Sequence, residues 1–146
     1  TQQPRYQAAK MLRFVPSMVT CRLLTTLEKD SSLRDLLACN RLAFGCIDTW
    51  LVFRLSRGNV LVSEPSNVSG TGLYDPFVKS YNKAVTMLIG FPNQLLLPLV
   101  DSATTNRPIT RLDHRLFGRP LEVSAMLADQ QAALFGCGCW AAGDTM

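Results

Sequence analysis

With 146 residues, 47% of them hydrophobic, the chain can form one core or part of a larger domain. Its net charge is +4, but the basic residues are scattered without interleaved aromatic residues that stack bases, so we expect no nucleic-acid partner. No run of about 18 uninterrupted apolar residues occurs, so we expect no membrane-spanning helix and no membrane partner.

The cysteines and the first residues bear on the cellular compartment. The five cysteines follow no disulfide-framework spacing, so reduced thiols in a cytoplasmic protein are expected. The chain starts at Thr1 without the charged, apolar and small-residue order of a signal peptide.

Three helices are predicted in the first 40 residues. The segments 5–14 and 19–27 carry apolar residues at helical spacing, and Pro16 and Ser17 separate them. A third helix is predicted over 31–37, with a serine cap at its start and Asn40 at its end.

The next segment reads FGCIDTW over residues 44–50. It predicts a short strand over 42–45, a tight turn at the glycine and a helix over 48–55 that Arg57 and Gly58 close. Asp48 can cap this helix and Trp50 can anchor the core, although ligand contact is the alternative for both residues.

The middle of the chain continues the alternation of strands and helices. An edge strand is predicted over 59–63, the longest helix over 76–89, and a polar loop over 101–120. This alternation predicts one α/β unit with a mainly parallel sheet.

The most informative segment is the last one. A short buried strand is predicted over 121–128, followed by strong helix formers over 130–135. Asp129 therefore occupies a strand-to-helix corner. It can serve as the helix N-cap, or it can reach a substrate hydroxyl, since ligands collect beyond the carboxyl ends of strands in α/β sheets.

Five blocks of the sequence together resemble the FGGY family of carbohydrate kinases, and most closely its glycerol-kinase-like branch. They occur in the family's order, and the resemblance is clear over 42–146. The blocks are FGCIDTW (44–50), SNVSGTGLYD (66–75), FP (91–92), LLPLV (96–100) and ADQQAALFG (128–136).

The resemblance implies an α/β, ribonuclease-H-like (actin-type ATPase) fold, in which residues 1–146 form the later part of the N-terminal lobe. The C-terminal nucleotide lobe is absent, so the chain alone is expected to be inactive. The implied activity is ATP-dependent transfer of the γ-phosphate to a primary hydroxyl of a glycerol-like polyol or a sugar, with Mg²⁺ in the complete enzyme. By this correspondence Asp129 is the general base and contacts the substrate, and Gln130 helps to hold it. No nucleotide or metal ligand is assigned within the chain.

Three departures from the family pattern bear on this assignment. Ala128 replaces the family's glycine, which is tolerable if its φ is negative. Cys46 replaces a threonine and is expected to pack rather than react. Ser17 stands where glycerol kinases carry a tyrosine, which leaves the substrate open. The alternative function is a degenerate, non-catalytic binding or interaction module; a third reading is an incomplete sequence of an intact enzyme.

Two other features suggest chemistry less strongly. Cys137 and Cys139 could form half of a metal site, but without a second pair they are expected to be packed thiols. His114 is the only histidine in the sequence, and we expect it in a solvated loop because no positioned nucleophile accompanies it.

Overall fold

The structure is a computed structural model that describes residues 18–145. The helix predicted over 5–14 and the departure at Ser17 lie outside these residues. In chain order, the described residues form α1 (Val19–Lys29), α2 (Ser31–Ala38), α3 (Ile47–Leu55), α4 (Pro65–Ser69), β1 (Tyr74–Asp75), β2 (Ser80–Tyr81), α5 (Lys83–Leu88), a 3-10 turn (Asn93–Leu95), β3 (Thr110–Arg111), α6 (His114–Phe117), β4 (Glu122–Val123) and α7 (Asp129–Gly136).

These elements belong to two compact units. The first unit comprises residues 18–44 and Val68–Leu97, and the second comprises Gly45–Asn67 and 98–145. The chain passes from the second unit back to the first within α4.

The first unit contains an apolar core built on α1 and α2. Four buried side chains form its centre, and partly buried leucines of both helices pack against them; the four are Leu27, Leu73, Phe91 and Leu95. The Thr20 hydroxyl of α1 donates a 2.6 Å hydrogen bond to the Thr71 carbonyl. The helices predicted over 19–27 and 31–37 are confirmed, but the Asp30 carboxylate, not a serine, caps α2.

The prediction of one long helix over 76–89 is wrong. A β1–β2 hairpin and the short helix α5 occupy this segment. The Asp75 carboxylate accepts a 3.0 Å hydrogen bond from the Phe77 N–H, which fixes a turn, and Asn82 then caps α5 by accepting from Val85. These local hydrogen bonds overrode the apolar periodicity.

In the second unit, residues 121–126 are hydrogen-bonded on both sides. Their backbone pairs antiparallel with 102–104 and with 109–112, while Ser63 pairs in parallel with Leu99. Among the described residues the Ser63–Leu99 bridge is the one parallel pairing, so the predicted parallel sheet is not observed. The strands predicted over 42–45 and 59–63 are not observed either. Prolines at 98, 108 and 120 border these segments and cannot donate ladder hydrogen bonds.

Helix α3 follows the predicted turn at the glycine. A Cβ atom on Gly45 would lie 2.5 Å from Thr49 Cγ2, so the close approach requires glycine. The predicted closure is confirmed, because the Gly58 N–H bonds the Phe53 carbonyl at 2.7 Å. The predicted roles inside α3 are wrong, since Asp48 lies within the first turn without capping it and Trp50 is 56% exposed.

The segment predicted as a polar loop over 101–120 contains β3 and α6. The Asp113 carboxylate caps α6 by accepting from Arg115 at 3.0 Å. His114 is the first residue of α6 and is exposed, with Nδ1 3.5 Å from Asp113 Oδ1.

Candidate functional site

Asp129 is the first residue of α7. The N-cap position belongs to Ala128, so the expectation that Asp129 is the N-cap is wrong. One Asp129 carboxylate oxygen accepts a 2.9 Å hydrogen bond from the Gln130 N–H, and both side chains are exposed. The structure therefore brings the two predicted site residues together at the start of a helix, where its dipole favours a negative charge.

The backbone conformation explains how alanine replaces glycine before Asp129. Ala128 has φ −68° and ψ 157°, an extended conformation open to any residue. The φ angle is negative, as the replacement of glycine by alanine requires, so Ala128 introduces no strain at this corner.

The residues before Asp129 are anchored by two serines. Ser66 Oγ accepts a 2.8 Å hydrogen bond from the Ala128 N–H. The Ser102 carbonyl accepts a 2.8 Å hydrogen bond from the Met126 N–H, and the Met126 side chain is buried. Two fixed points therefore lie within three residues of the exposed carboxylate.

A buried carboxylate joins these two serines. Glu64 is 0% exposed, and it accepts hydrogen bonds from the hydroxyls of Ser66 and Ser102. It also accepts from the backbone N–H groups of Ser66 at 2.9 Å and Asn67 at 3.1 Å at the start of α4. We refer to Glu64, Ser66, Asn67 and Ser102 as the Glu64 cluster.

Burial by itself raises the pKa of Glu64, but the hydrogen bonds from Ser102 and Ser66 outweigh it and hold this pKa below its usual value. Glu64 is therefore ionised at neutral pH and acts only as an acceptor. Sequence reasoning missed this residue. The available signal was an acid before Pro65, Ser66 and Asn67, which is a helix-start pattern.

Two further groups face the same charge. Burial raises the pKa of Cys46 to about 11, with Asp48 and Glu64 adding to the effect. Its Sγ donates to the Asn67 carbonyl at 3.7 Å, so Cys46 is a protonated, packed thiol as expected.

Asp48 is the least satisfied acid of the described residues. Its carboxylate oxygens are buried and make no hydrogen bond of acceptable geometry within 18–145. Burial raises its pKa, the neighbouring Thr49 N–H partly opposes this, and the Glu64 charge raises it further.

A separate cleft of about 420 Å³ lies elsewhere in the second unit. The Arg57 guanidinium and the Asp113 carboxylate form an ion pair there. Its lining residues are Phe53, Arg54, Arg57, Gly58, Asp113, Arg115 and Leu116.

The described residues offer neither a metal site nor a membrane-spanning helix. Between residues 18 and 145, no group of three or more His, Cys, Asp or Glu side chains could hold a metal ion. No helix in the same range is long and apolar enough to cross a bilayer. Cys137 and Cys139 flank Gly138, which has φ +75° and terminates α7, and both are free thiols. Cys139 is half-buried but Cys137 is exposed, so the expectation of a packed thiol is wrong for Cys137.

Comparison with known proteins identifies relatives over nearly the whole chain. Glycerol kinase 5 of Bos taurus is 35% identical over 99% of this chain and 27% of its own length, and that of Homo sapiens is 34% identical over the same shares. The glycerol kinase of Staphylococcus haemolyticus (strain JCSC1435) is 39% identical over 70% of this chain and 20% of its own length. The chain thus spans about a quarter of the length of the curated relatives it matches.

Fold comparison agrees with these matches. The crystal structure of Plasmodium falciparum glycerol kinase with ADP matches with a TM-score of 0.69 and 19% identity, over 82% of this chain and 23% of that one. The model of the FGGY family of carbohydrate kinases, N-terminal domain, matches residues 15–136. The chain therefore belongs to the FGGY family of carbohydrate kinases and has the α/β, actin-type fold of that family's N-terminal domain.

Proposed function

We propose that this chain is the substrate-holding part of an ATP-dependent polyol or sugar kinase, with a glycerol-like substrate favoured and Asp129 as the general base. The observation that carries the proposal is an exposed carboxylate on the first turn of α7, next to a backbone anchored at Met126 and Ala128. The names of the relatives and the ADP in the neighbouring structure support the substrate class and the nucleotide. A cytoplasmic location belongs to the same proposal.

The chemistry requires alignment more than covalent help from the protein. When bound, ATP and Mg²⁺ supply the phosphoryl group and neutralise its charge. Asp129 accepts the proton of the substrate hydroxyl as the new oxygen–phosphorus bond forms and the bond to the ADP leaving group breaks. The Gln130 amide offers both a donor and an acceptor to the other hydroxyls of the substrate. The described residues contain no cluster of three metal-ligating side chains, so we assign no Mg²⁺ ligand here.

The test is made in the natural full-length gene product. Asp129→Asn is expected to lower kcat by about 10²- to 10⁴-fold, because an amide cannot take the hydroxyl proton. Because Asp129 is exposed, the melting temperature should stay near the wild-type value. Rates are measured with glycerol, larger polyols and ketoses. Asp101→Asn, another exposed acid of the second unit, is the matched control.

Near-wild-type phosphoryl transfer by Asp129→Asn would show that the general base lies elsewhere. A wild-type protein that binds a polyol but transfers no phosphate to any of these substrates would favour the non-catalytic binding module. Ala128 does not itself favour that module, because its φ is negative.

A further inference from the structure

The Glu64 cluster connects three segments that are far apart in the sequence. Glu64 and Ser66 lie at the start of α4, Ser102 lies 38 residues after Glu64, and Ala128 lies 62 residues after Ser66. All belong to the second unit. The hydrogen bonds converge on the two residues whose backbone leads directly into Asp129.

The ionised carboxylate fixes the direction of each hydrogen bond. Glu64 has no proton to give, so the Ser66 hydroxyl must donate its single proton to Glu64. Only the lone pairs of Ser66 Oγ then remain, and one of them accepts the Ala128 N–H. The Ser102 hydroxyl is oriented by the same carboxylate, and its backbone carbonyl holds Met126.

We propose that Glu64 is a positioning residue that sets the location of Asp129 through Ser66 and Ser102. The inference rests on the proposed function of Asp129 as the general base. Glu64 is fully buried and so does not meet substrate, whereas Asp129 is exposed. A reacting group displaced by about 1 Å can lose about a hundredfold in rate, so a rigid anchor before Asp129 has a direct catalytic consequence.

The chain provides a matched control for each variant. Ser56 is a buried serine of the second unit whose hydroxyl accepts the Val60 N–H at 3.2 Å, so Ser56→Ala removes the same kind of bond as Ser66→Ala. Asp75 is a buried carboxylate of the first unit that accepts from Phe77 and Val78, so Asp75→Asn matches Glu64→Gln.

The kinetic experiment uses the full-length natural protein. Glu64→Gln and Ser66→Ala are expected to lower kcat by about 10- to 100-fold while KM for ATP stays unchanged, and the two controls should keep the wild-type kcat. In an Asp129→Asn background, Glu64→Gln should cause no further loss, because its effect passes through Asp129. An equal loss of kcat in both backgrounds would overturn the proposal, as would wild-type kcat in both cluster variants.

Hydrogen exchange tests the same proposal without an activity. In Glu64→Gln the amides of Met126 and Ala128 should exchange faster than in the wild type, and in Ser66→Ala the Ala128 amide should, whereas Ser56→Ala should change the Val60 amide instead. Unchanged exchange at Met126 and Ala128 would overturn the positioning role. A further outcome is that Asp129→Asn retains full activity while Glu64→Gln still speeds amide exchange at Met126 and Ala128. In that case the general-base assignment fails and the anchoring by Glu64 stands.

Discussion

At the scale of single residues, Glu64 and Asp48 show how the pKa of the same chemical group can shift in opposite directions within one unit. Glu64 receives hydrogen bonds from two serine hydroxyls and two backbone amides, and its pKa is lowered although burial opposes this. Asp48 has buried oxygens without such donors, and its pKa is raised mainly by burial. The donors, not the burial, decide in which direction each pKa moves.

This difference predicts opposite pH dependences of stability. The folded pKa of Glu64 lies below its usual 4.5, so its contribution is present above that pH and lost as the pH falls through the folded pKa. Asp48 has a folded pKa above 3.8, so the wild type loses stability as the pH rises from 3.8 through this folded pKa. Asp48→Asn should therefore raise the urea midpoint at neutral pH, and this gain should shrink towards pH 3.8.

The measurement is the urea midpoint of the full-length protein between about pH 2 and pH 8, a range that includes the acid side of both transitions. Glu64→Gln should be destabilising at neutral pH and less so in acid, the reverse of Asp48→Asn. The same sign for both variants across the range would contradict the assigned directions of the two pKa shifts.

At the scale of elements, four helices end in the same way. After α2, α3, α5 and α7 the chain enters the left-handed region, and the next N–H bonds back to a carbonyl five residues earlier, as from Arg41 to Leu36 at 2.8 Å. The left-handed residues are Asn40, Arg57, Gly90 and Gly138. The ends of α2 at Asn40 and of α3 at Arg57 and Gly58 were predicted from the sequence. The other two ends have a glycine at the left-handed position, which tolerates positive φ as asparagine does.

The ending of α2 can be tested at Asn40, which has φ +54°. Asn40→Val should lower the free energy of unfolding by about 1–2 kcal/mol, because a β-branched residue is strained in the left-handed region. Asn40→Gly should be neutral or slightly stabilising. Asn59→Val, at an exposed asparagine without positive φ, is the control. Equal effects of the two valine substitutions, measured by urea denaturation, would contradict this account.

At the scale of the whole molecule, many large apolar side chains are exposed. Trp140 is 75% exposed and packs against Phe135, with ring centroids 6.0 Å apart. Met87 and Leu88 on α5 are more than 80% exposed. Exposed apolar surface of this kind favours association.

We therefore expect the 146-residue chain, expressed alone, to self-associate and to bind a hydrophobic dye such as ANS. Light scattering after size-exclusion chromatography measures the mass. Replacing Phe135 and Trp140 together by serine should reduce dye binding, whereas the same change at the buried Leu95 should increase it by exposing the core. A monodisperse monomer without dye binding would be incompatible with this expectation.

The sequence by itself determined the family, the helices α1, α2, α3 and α7, and the placement of Asp129 and Gln130 at a helix start. These features depend on local propensities, turn residues and motif order, all of which are written in consecutive positions. The predictions of an edge strand over 59–63 and of a helix over 76–89 were wrong. An apolar pattern does not reveal which backbone partners a segment pairs with or which turn hydrogen bonds it forms.

Only the tertiary structure decided the role of Glu64, the exposure of Trp50 and the unsatisfied state of Asp48. Each depends on residues that are distant in sequence: Glu64 meets Ser102 only after the chain has folded. Desolvation and hydrogen-bond donation act through space, so a glutamate that the sequence analysis did not identify is a buried, ionised anchor in the structure.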